Sequence, residues 1–426
     1  MKHPAILLCA LVALATVPEI SLFGADAPPA GGPAAGGQIA PAADSTNNAA
    51  GARRGGGGGR GGRRGGPDLG PLPEVHAAVP NTLPGLLGKP IKWVSTGVLV
   101  APVNDPTHFL YSIKDPTISF INGKWEIYAT ANMVSGPRAA ALQNPSTNEE
   151  ATAGRGRRGG GGGGQWSMIH VSFADWKDAP KAPLHYMDTD TRFGGYKCAP
   201  EMFYFTPQKK WYLTFQTQPP AYCTSETPED PKSWTTPQPF FASSVALPRL
   251  PIDYHFIGDG QYMYMFFTGD DGNFYRSRTT YEQFPNGYTN LVVAMRGTPQ
   301  TVFEAGFTYK IKGTDKYLTC VEAQGRTRYF RAYVADKLDG EWYPIEGFDT
   351  FEKPFAGINN MTFEPGVQPW SGQVSHGEMI RDSNDERMIL DPNNLQFLYQ
   401  GISDADNRGD YGSLKYKLGL LRAAKN

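Results

Sequence analysis

Three acidic residues stand out because they lie among apolar residues at the start of aromatic-rich segments. Asp115 lies in YSIKDPTISF, Asp253 in LPIDYHFIGD and Glu304 in TVFEAGFTYK. A carboxylate in apolar surroundings needs polar partners or a shifted pKa. Each acid taken alone could simply cap a strand or bond to the backbone. Together, two carboxyl groups on either side of a sugar ring can hydrolyse a glycosidic bond, one as acid with a raised pKa and one as base.

The segments around these acids repeat one unit, in which a strand and a polar turn precede an aromatic strand. Asn, Gly, Asp or Lys fill the turns, as hairpins require, and residues 90–426 contain no convincing amphipathic helix. The five units are SFINGKWEIYATA (119–131), YFTPQKKWYLTFQT (204–217), FIGDGQYMYMFFTGD (256–270), YKIKGTDKYLTCVEA (309–323) and LDPNNLQFLYQGI (390–402).

Further strand-like segments follow three of the units, at residues 168–180, 273–285 and 328–342. Repeated sheets of this kind are typical of a β-propeller, so the sequence predicts an all-β fold, a five-bladed β-propeller. The inner strands of a propeller line a central funnel, where the three acids would converge although they are far apart in the chain. The alternative is a β-sandwich, a fold that rarely repeats one hairpin motif five times.

The regions outside the propeller are predicted from composition. Residues 1–25 have the cation, apolar run and small residues of a secretory signal peptide, and the run from Ala5 to Val17 is shorter than the roughly 20 residues that span a bilayer. Residues 26–73 predict a disordered tether rich in Ala, Pro, Gly and Arg. The catalytic domain would occupy residues 74–426, with a Gly/Arg-rich surface loop at 139–164. We therefore expect a secreted or extracytoplasmic protein without a membrane span.

The charge distribution disfavours a nucleic-acid partner. The formal net charge is -1, but eight of the 40 basic residues are arginines in the two glycine-rich stretches, which leaves 32 basic against 41 acidic residues. The folded part is therefore acidic, whereas a nucleic-acid-binding face needs clustered positive charge.

Seven segments, in register along residues 90–422, resemble the successive signatures of glycoside hydrolase family 62. They are KWVSTGVLVAPVNDPTHFLYSIKDPTISFINGKWEIYAT, CAPEMFYFTPQKKWYLTFQT, GNFYRSRTTYEQFPNG, FEAGFTYKIKGTDKYLTCVEAQGRTRYFRAYVADKLDGEW, PFAG, VSHGEMIRD and DPNNLQFLYQG. The resemblance implies a secreted, inverting α-L-arabinofuranosidase with a five-bladed propeller that acts on arabinoxylan.

The resemblance also implies a role for each acid. Asp115 of the KDPT motif would be the general base and Glu304 of FEA the general acid. Asp253 of PID would hold the acid in position and tune its pKa. Substrate contacts would come from Lys114, Gln216, Tyr411 and Arg331.

The same resemblance places His376 of the SHGE segment near the propeller axis, where it could ligate a cation or a water network. A satisfied core histidine is the alternative. No cofactor is implied as a requirement, and a structural Ca²⁺ is the ion that the resemblance suggests. The expected partner is arabinoxylan or another arabinose-decorated polysaccharide, bound by a monomer.

Departures from the family pattern concern substrate contacts rather than the acid and base. Thr217 and Gln218 stand where the family often has Trp-Gly, and Gly412 follows Tyr411 where it typically has Asn. Two other functions remain open on sequence. One is a family 43-like xylosidase or arabinanase, which the FEA, SHGE and DPNNLQFLYQG series disfavours; the other is a glycan-binding propeller without activity, which would not need Asp115 and Glu304 together.

Overall fold

Short strands separated by polar turns make up most of the chain, as the aromatic alternation predicts. The computed structural model describes residues 69–143, 165–241, 247–248 and 251–425. The predicted signal peptide, the tether up to residue 68 and residues 144–164 of the predicted loop lie outside the described residues, so these three assignments stay predictions. Within the described ranges, no helix is long and apolar enough to cross a membrane.

The strands form five separate sheets, each a propeller blade. Blade one contains β2 (His108–Ile121), β3 (Lys124–Ser135), β4 (Gln165–Phe173) and β5 (His185–Tyr186). Blade two contains β6 (Cys198–Phe205), β7 (Lys210–Gln216), β8 (Ala221–Ser225) and β9 (Gln238–Pro239). Blade three contains β10 (Ile252–Gly258), β11 (Tyr262–Thr268), β12 (Asn273–Thr280) and β13 (Thr289–Arg296).

The last two blades have five strands each. Blade four contains β14 (Glu304–Ile311), β15 (Tyr317–Gln324), β16 (Arg328–Ala335) and β17 (Tyr343–Pro344), with β20 (Ile389–Leu390) parallel to β14. Blade five contains β19 (Ser375–Met379), β21 (Gln396–Gly401), β22 (Lys417–Ala423), β1 (Trp93–Ser95) and β18 (Met361–Phe363), the last parallel to β1. The predicted five-bladed propeller is confirmed.

Helices are short and lie in the connections. The one α-helix of the described residues, α1 (Pro137–Gln143), covers the first residues of the predicted loop. The 3₁₀ helices are Gly85–Gly88, Trp176–Lys181, Met187–Thr189, Thr191–Phe193, Thr206–Gln208, Ile358–Asn360 and Tyr411–Ser413.

Four of the five predicted hairpins are present, and the fifth is wrong. In the segment 390–402, Leu390 pairs with Ile311 of β14, whereas β21 pairs with β19. The physical reason is that the free edge of β14 needs backbone partners. Lys310 N donates to the Met388 carbonyl at 3.1 Å and Lys312 N to the Leu390 carbonyl at 2.9 Å. The partner of β21 on its inner side is instead β19, which contains the SHGEM segment.

The ring of blades is closed by strands from both ends of the described chain. β1 pairs antiparallel with β22, so that Trp93 lies opposite Ala423. The Trp93 side chain is fully buried, its indole N–H donates to the Phe355 carbonyl at 2.6 Å, and its ring packs edge-on against Phe355. Strand pairing between the two ends of the described chain thus holds the ring of blades closed.

We expect Trp93→Ala to destabilise the whole propeller, because it removes a buried aromatic side chain, and its hydrogen bond to the Phe355 carbonyl, from the strand that closes the ring. The expected loss is about 3–5 kcal/mol in the free energy of unfolding, measured by urea unfolding with far-UV circular dichroism. Trp176→Ala, at a tryptophan that is only partly buried, is the matched control and should cost less. Equal losses in the two variants would contradict this account of ring closure.

Candidate active site

Each innermost strand contains a β-bulge near the propeller axis. The pairing register shifts between Lys114 and Thr117 in β2 and at the corresponding places in β6, β10, β14 and β19. In four blades one bulge residue has a φ between 45° and 55°; these residues are Asp115, Ala199, Asp253 and Ala305. A bulge adds one residue and re-aims the local side chains. The local sequences are therefore equivalent: KDPT, CAPE, IDYH, EAGF and, in blade five, SHGE.

The bulges show that the three acids do not all occupy the same position of the repeat. Asp115 and Asp253 share the bulge position, and His376 takes it in blade five. Glu304 precedes the bulge residue Ala305 and so corresponds to Lys114. The three acids therefore come from two different positions of the repeat. Position 377, next to His376, requires glycine, because a Cβ there would lie 2.0 Å from the Leu398 carbonyl oxygen.

The backbone N–H of every bulge residue donates to a side chain of the preceding blade, and we call the five acceptors the inter-blade caps. The caps are Gln400 for Asp115 (2.8 Å), Thr130 for Ala199 (2.7 Å), Gln216 for Asp253 (3.2 Å), Asp253 for Ala305 (2.9 Å) and Glu322 for His376 (2.8 Å). A buried N–H without a partner is costly, so the caps fix each bulge and join neighbouring blades.

Four of the caps come from one place in the repeat. Thr130, Gln216, Glu322 and Gln400 each lie on the second strand of their blade, opposite the residue that precedes the bulge. In blade three this position is Thr268, whose buried hydroxyl has no hydrogen-bond partner. The carboxylate of Asp253 provides the cap there instead.

Asp115, Asp253 and His376 meet at the axis. His376 Nδ1 lies 3.4 Å from Asp115 Oδ1 and 3.7 Å from Asp253 Oδ2, and all three side chains are almost fully buried. Burial favours a raised pKa for Asp115, but the charges of Lys114 and His376 outweigh it and hold the pKa below its ordinary value. Burial, and next the neighbouring Glu304 and Asp115, raise the pKa of Asp253 well above its ordinary value. The two aspartates thus prefer opposite protonation states.

Glu304 is bound by an arginine that the sequence analysis did not identify. The Arg328 guanidinium donates through Nη1 to Glu304 Oε1, and through the same nitrogen to Glu322 Oε1 at 2.7 Å. Glu322 is fully buried, and burial raises its pKa to about 7 against the opposing charge of Arg328. The signal for Glu322 in the sequence was its place opposite Glu304 in the fourth hairpin, but this register is visible only in the folded sheet.

Lys114 points into an aromatic group beside the acids. Its Nζ donates to Tyr411 Oη at 2.5 Å and lies 5.1 Å from the centre of the Trp166 ring and 5.3 Å from that of Tyr416. Burial opposes the charge, but Tyr411, Asp115 and other neighbours raise the pKa of Lys114 above its ordinary value. Tyr411 remains 43% exposed and stacks near Trp166, with ring centres 5.9 Å apart. The two rings form an accessible surface next to the cation.

The other predicted substrate contacts differ in position. Gln216 lies in the site, where its Oε1 caps Asp253 and its Nε2 donates to the hydroxyl of the half-exposed Tyr196. Arg331 is not brought to the acids. Its guanidinium donates to the backbone carbonyls of Asp349 at 2.7 Å and Thr301 at 3.3 Å. Arg328, three residues earlier, reaches Glu304 instead.

The predicted cation site at His376 stays a prediction. Calcium takes six to eight oxygen ligands, and no group of three or more His, Cys, Asp or Glu side chains among these residues is arranged to hold a metal ion. A cavity of about 20 Å³ lies along the axis beside His376 and Asp253. Two of the carboxylates that line it lie within ion-pair distance of a basic side chain, Glu201 of His255 at 3.0 Å and Glu378 of Arg381 at 2.8 Å.

A family model and a curated protein match most of the folded chain. The model of glycosyl hydrolase family 62 matches residues 156–422. Alpha-L-arabinofuranosidase C of Cellvibrio japonicus is 37% identical over 343 residues, which are 80% of this chain and 48% of that protein. The chain thus spans about half the length of this curated relative.

Solved structures with the same fold cover the propeller. The catalytic domain of the Coprinopsis cinerea family 62 α-L-arabinofuranosidase is 32% identical with a TM-score of 0.67, and the match covers 78% of this chain and 97% of that one. The Podospora anserina α-L-arabinofuranosidase in complex with cellotriose is 33% identical with a TM-score of 0.66, over 79% and 97% of the two chains. A family 62 hydrolase in complex with xylotriose is 33% identical with a TM-score of 0.65, over 78% and 97%.

The inter-blade caps predict a contrast between two equivalent threonines. Thr130→Val removes the acceptor of the Ala199 N–H and should cost about 1–3 kcal/mol in the free energy of unfolding, because a buried donor is left unpaired. Thr268→Val, at the same position of blade three, should be close to neutral or stabilising, since the Thr268 hydroxyl has no hydrogen-bond partner. Urea unfolding of both variants checks this; a similar cost at the two positions would contradict the role of the caps.

Proposed function

The chain belongs to glycosyl hydrolase family 62, and we propose that it is an inverting α-L-arabinofuranosidase. It would release arabinofuranosyl side groups from arabinoxylan or a similar polysaccharide. Family membership and the relatives named as arabinofuranosidases support the activity. The observation that carries the proposal is the site itself, in which carboxyl groups with opposite protonation preferences converge beside a buried lysine and exposed aromatic rings.

Asp115 is proposed as the general base. Its pKa is held low by Lys114 and His376, so it is ionised at neutral pH and can accept a proton. As a water oxygen bonds to the anomeric carbon, one water proton passes to the Asp115 carboxylate. The backbone cap from Gln400 and the bulge hold this carboxylate in a fixed direction.

Glu304 is proposed as the general acid. As the bond between the anomeric carbon and the polymer oxygen breaks, that oxygen takes the proton of the Glu304 carboxyl and leaves as a hydroxyl group. Asp253 is proposed to hold the general acid in position and to favour the protonated form of that acid. Its carboxylate caps the residue after Glu304, and the repulsion between the two buried carboxyl groups disfavours ionising both.

Lys114, Gln216 and Tyr411 are proposed to bind the substrate. The Lys114 ammonium can donate to sugar hydroxyl groups next to Asp115. The exposed faces of Tyr411 and Trp166 suit the apolar face of a pyranose ring of the polymer chain, since amphipathic rings combine contact area with a polar edge. The family 62 structure in complex with xylotriose supports a xylan-type main chain. Export behind a signal peptide, as predicted from residues 1–25, would bring the enzyme to such polymers.

Substrate choice is the direct test of this function. Purified protein is incubated separately with wheat arabinoxylan and with linear arabinan, and the released sugars are analysed. The proposal expects free arabinose from arabinoxylan with little change in the xylan main chain. Release from arabinan alone, or release of xylose, would favour a family 43-like activity. Binding without release would favour a glycan-binding propeller.

We predict that Asp115→Asn and Glu304→Gln each lower kcat/KM on arabinoxylan by about 10²–10⁴-fold, because each removes one proton transfer. An activated aryl arabinofuranoside separates the two roles, since its leaving group needs little protonation. Glu304→Gln should lose much less activity on this substrate, whereas Asp115→Asn should lose as much as on the polymer. Circular dichroism serves as the control for folding. Near-normal activity of either variant on arabinoxylan would overturn the assignment.

A further inference from the structure

Glu322 carries a charge that its structural role does not require. It occupies the same position of the repeat as Thr130, Gln216 and Gln400, and caps the His376 N–H as they cap other bulges. In blades one, two and five a neutral side chain provides the cap from this position. A carboxylate buried at 0% exposure is costly unless it is paired. The negative charge therefore serves something other than the cap.

The contacts of Glu322 connect blade five to Arg328 and, through Arg328, to Glu304. Its Oε1 accepts from Arg328 Nη1 at 2.7 Å, and both of its carboxyl oxygens lie 3.1 Å from the Ser375 hydroxyl. Its Oε2 accepts from the His376 N–H at 2.8 Å. Because Arg328 Nη1 also donates to Glu304, the two glutamates compete for one cation.

The contact between Arg328 and Glu304 conflicts with the proposed role of Glu304 as the general acid. A general acid must hold a proton at the working pH, yet a guanidinium in contact with a carboxyl group lowers its pKa by about 1–3 units. A guanidinium contact therefore favours the ionised form of a group that has to deliver a proton. Two buried carboxyl groups that share a single guanidinium have one compensated charge between them, so the pair keeps one proton more readily than a single carboxyl would.

We propose that Glu322 is a positioning residue that shares Arg328 with Glu304 and thereby keeps a proton in the pair for the reaction. This inference rests on the proposed function, in which Glu304 is the general acid. The raised pKa of Glu322, about 7, which follows mainly from burial, agrees with a pair that retains one proton. Glu322 does not touch the substrate in this proposal; it acts through Arg328.

Other charged and titratable groups also face Glu304. They are Arg328, Glu322, Asp253, Lys114, Tyr411 and Tyr416. Among them, Glu322 is the carboxylate that binds the same guanidinium nitrogen as Glu304. Substituting it removes one of the two carboxyl groups that face Arg328, without changing the bulge that carries Asp253 or the aromatic group around Lys114.

The test is the pH dependence of kcat/KM for Glu322→Gln. Glutamine retains an oxygen for the His376 N–H, as it does for the equivalent caps in blades two and five, so the fold should persist. With Glu304 as the one remaining carboxyl partner of Arg328, the acid ionises at lower pH. We expect the alkaline limb on arabinoxylan to move to lower pH by about one unit or more, with a smaller loss on an activated aryl arabinofuranoside.

Glu378→Gln is the matched control, because Glu378 is also buried at the axis but is paired with Arg381. Its alkaline limb should stay at the wild-type pH. Arg328→Gln removes the cation instead, so the alkaline limb should move to higher pH. This variant provides a second test if Glu322→Gln does not fold.

The outcomes separate two failures. A Glu322→Gln variant whose activity falls equally at every pH and on both substrates, or an Arg328→Gln limb that stays in place or moves to lower pH, would overturn the role of Glu322 alone. Wild-type protein that releases no arabinose from arabinoxylan would instead overturn the proposed function, and the inference with it.

Discussion

The fold and the site both depend on one interaction, the hydrogen bond from a bulge N–H to a side chain of the preceding blade. A bulge with a positive φ removes its N–H from the ladder of its own sheet, and a buried N–H without a partner is costly. The inter-blade caps provide that partner in all five blades. Each bulge is thereby fixed in its conformation, and each blade is fixed against its neighbour.

A second set of hydrogen bonds, three residues further along, repeats the arrangement in four blades. The backbone N–H groups of Ile118, Met202, Phe256 and Met379 donate to side chains of the preceding blade, namely Glu378, Thr117, Glu201 and Tyr309. Because a buried backbone N–H without a partner is costly, these acceptors also hold the innermost strands of neighbouring blades together. The axis is lined by polar side chains together with the ring of Phe307, whose centre lies 5.4 Å from that of His376.

The structural and chemical roles of the caps overlap. Asp253 and Glu322 are caps and are also acidic groups of the site, and Gln400 binds both the Asp115 N–H and the Ser375 hydroxyl. A continuous series of contacts therefore runs from Asp115 through Gln400, Ser375, Glu322 and Arg328 to Glu304. The proposed base and acid lie at its two ends, so their positions are coupled through blade five.

The sequence allowed much of this to be predicted, since aromatic alternation indicates strands and apolar neighbours single out Asp115, Asp253 and Glu304. Pairings between distant segments could not be predicted from the sequence, because local patterns do not show that β1 joins β22 or that β20 joins β14. The choice between Arg328 and Arg331 also needed the register. Residues three apart on a strand point to opposite faces, and only the folded sheet shows that Arg328 faces Glu304.

The most direct test of the proposed chemistry is the anomeric configuration of the first arabinose released from arabinoxylan. Proton NMR in the first minutes of the reaction measures it before the free sugar equilibrates. If Asp115 activates a water on the face opposite the leaving group, the initial product is β-L-arabinose. Initial release of the α-anomer would mean that a carboxylate forms a covalent intermediate, and would contradict the account.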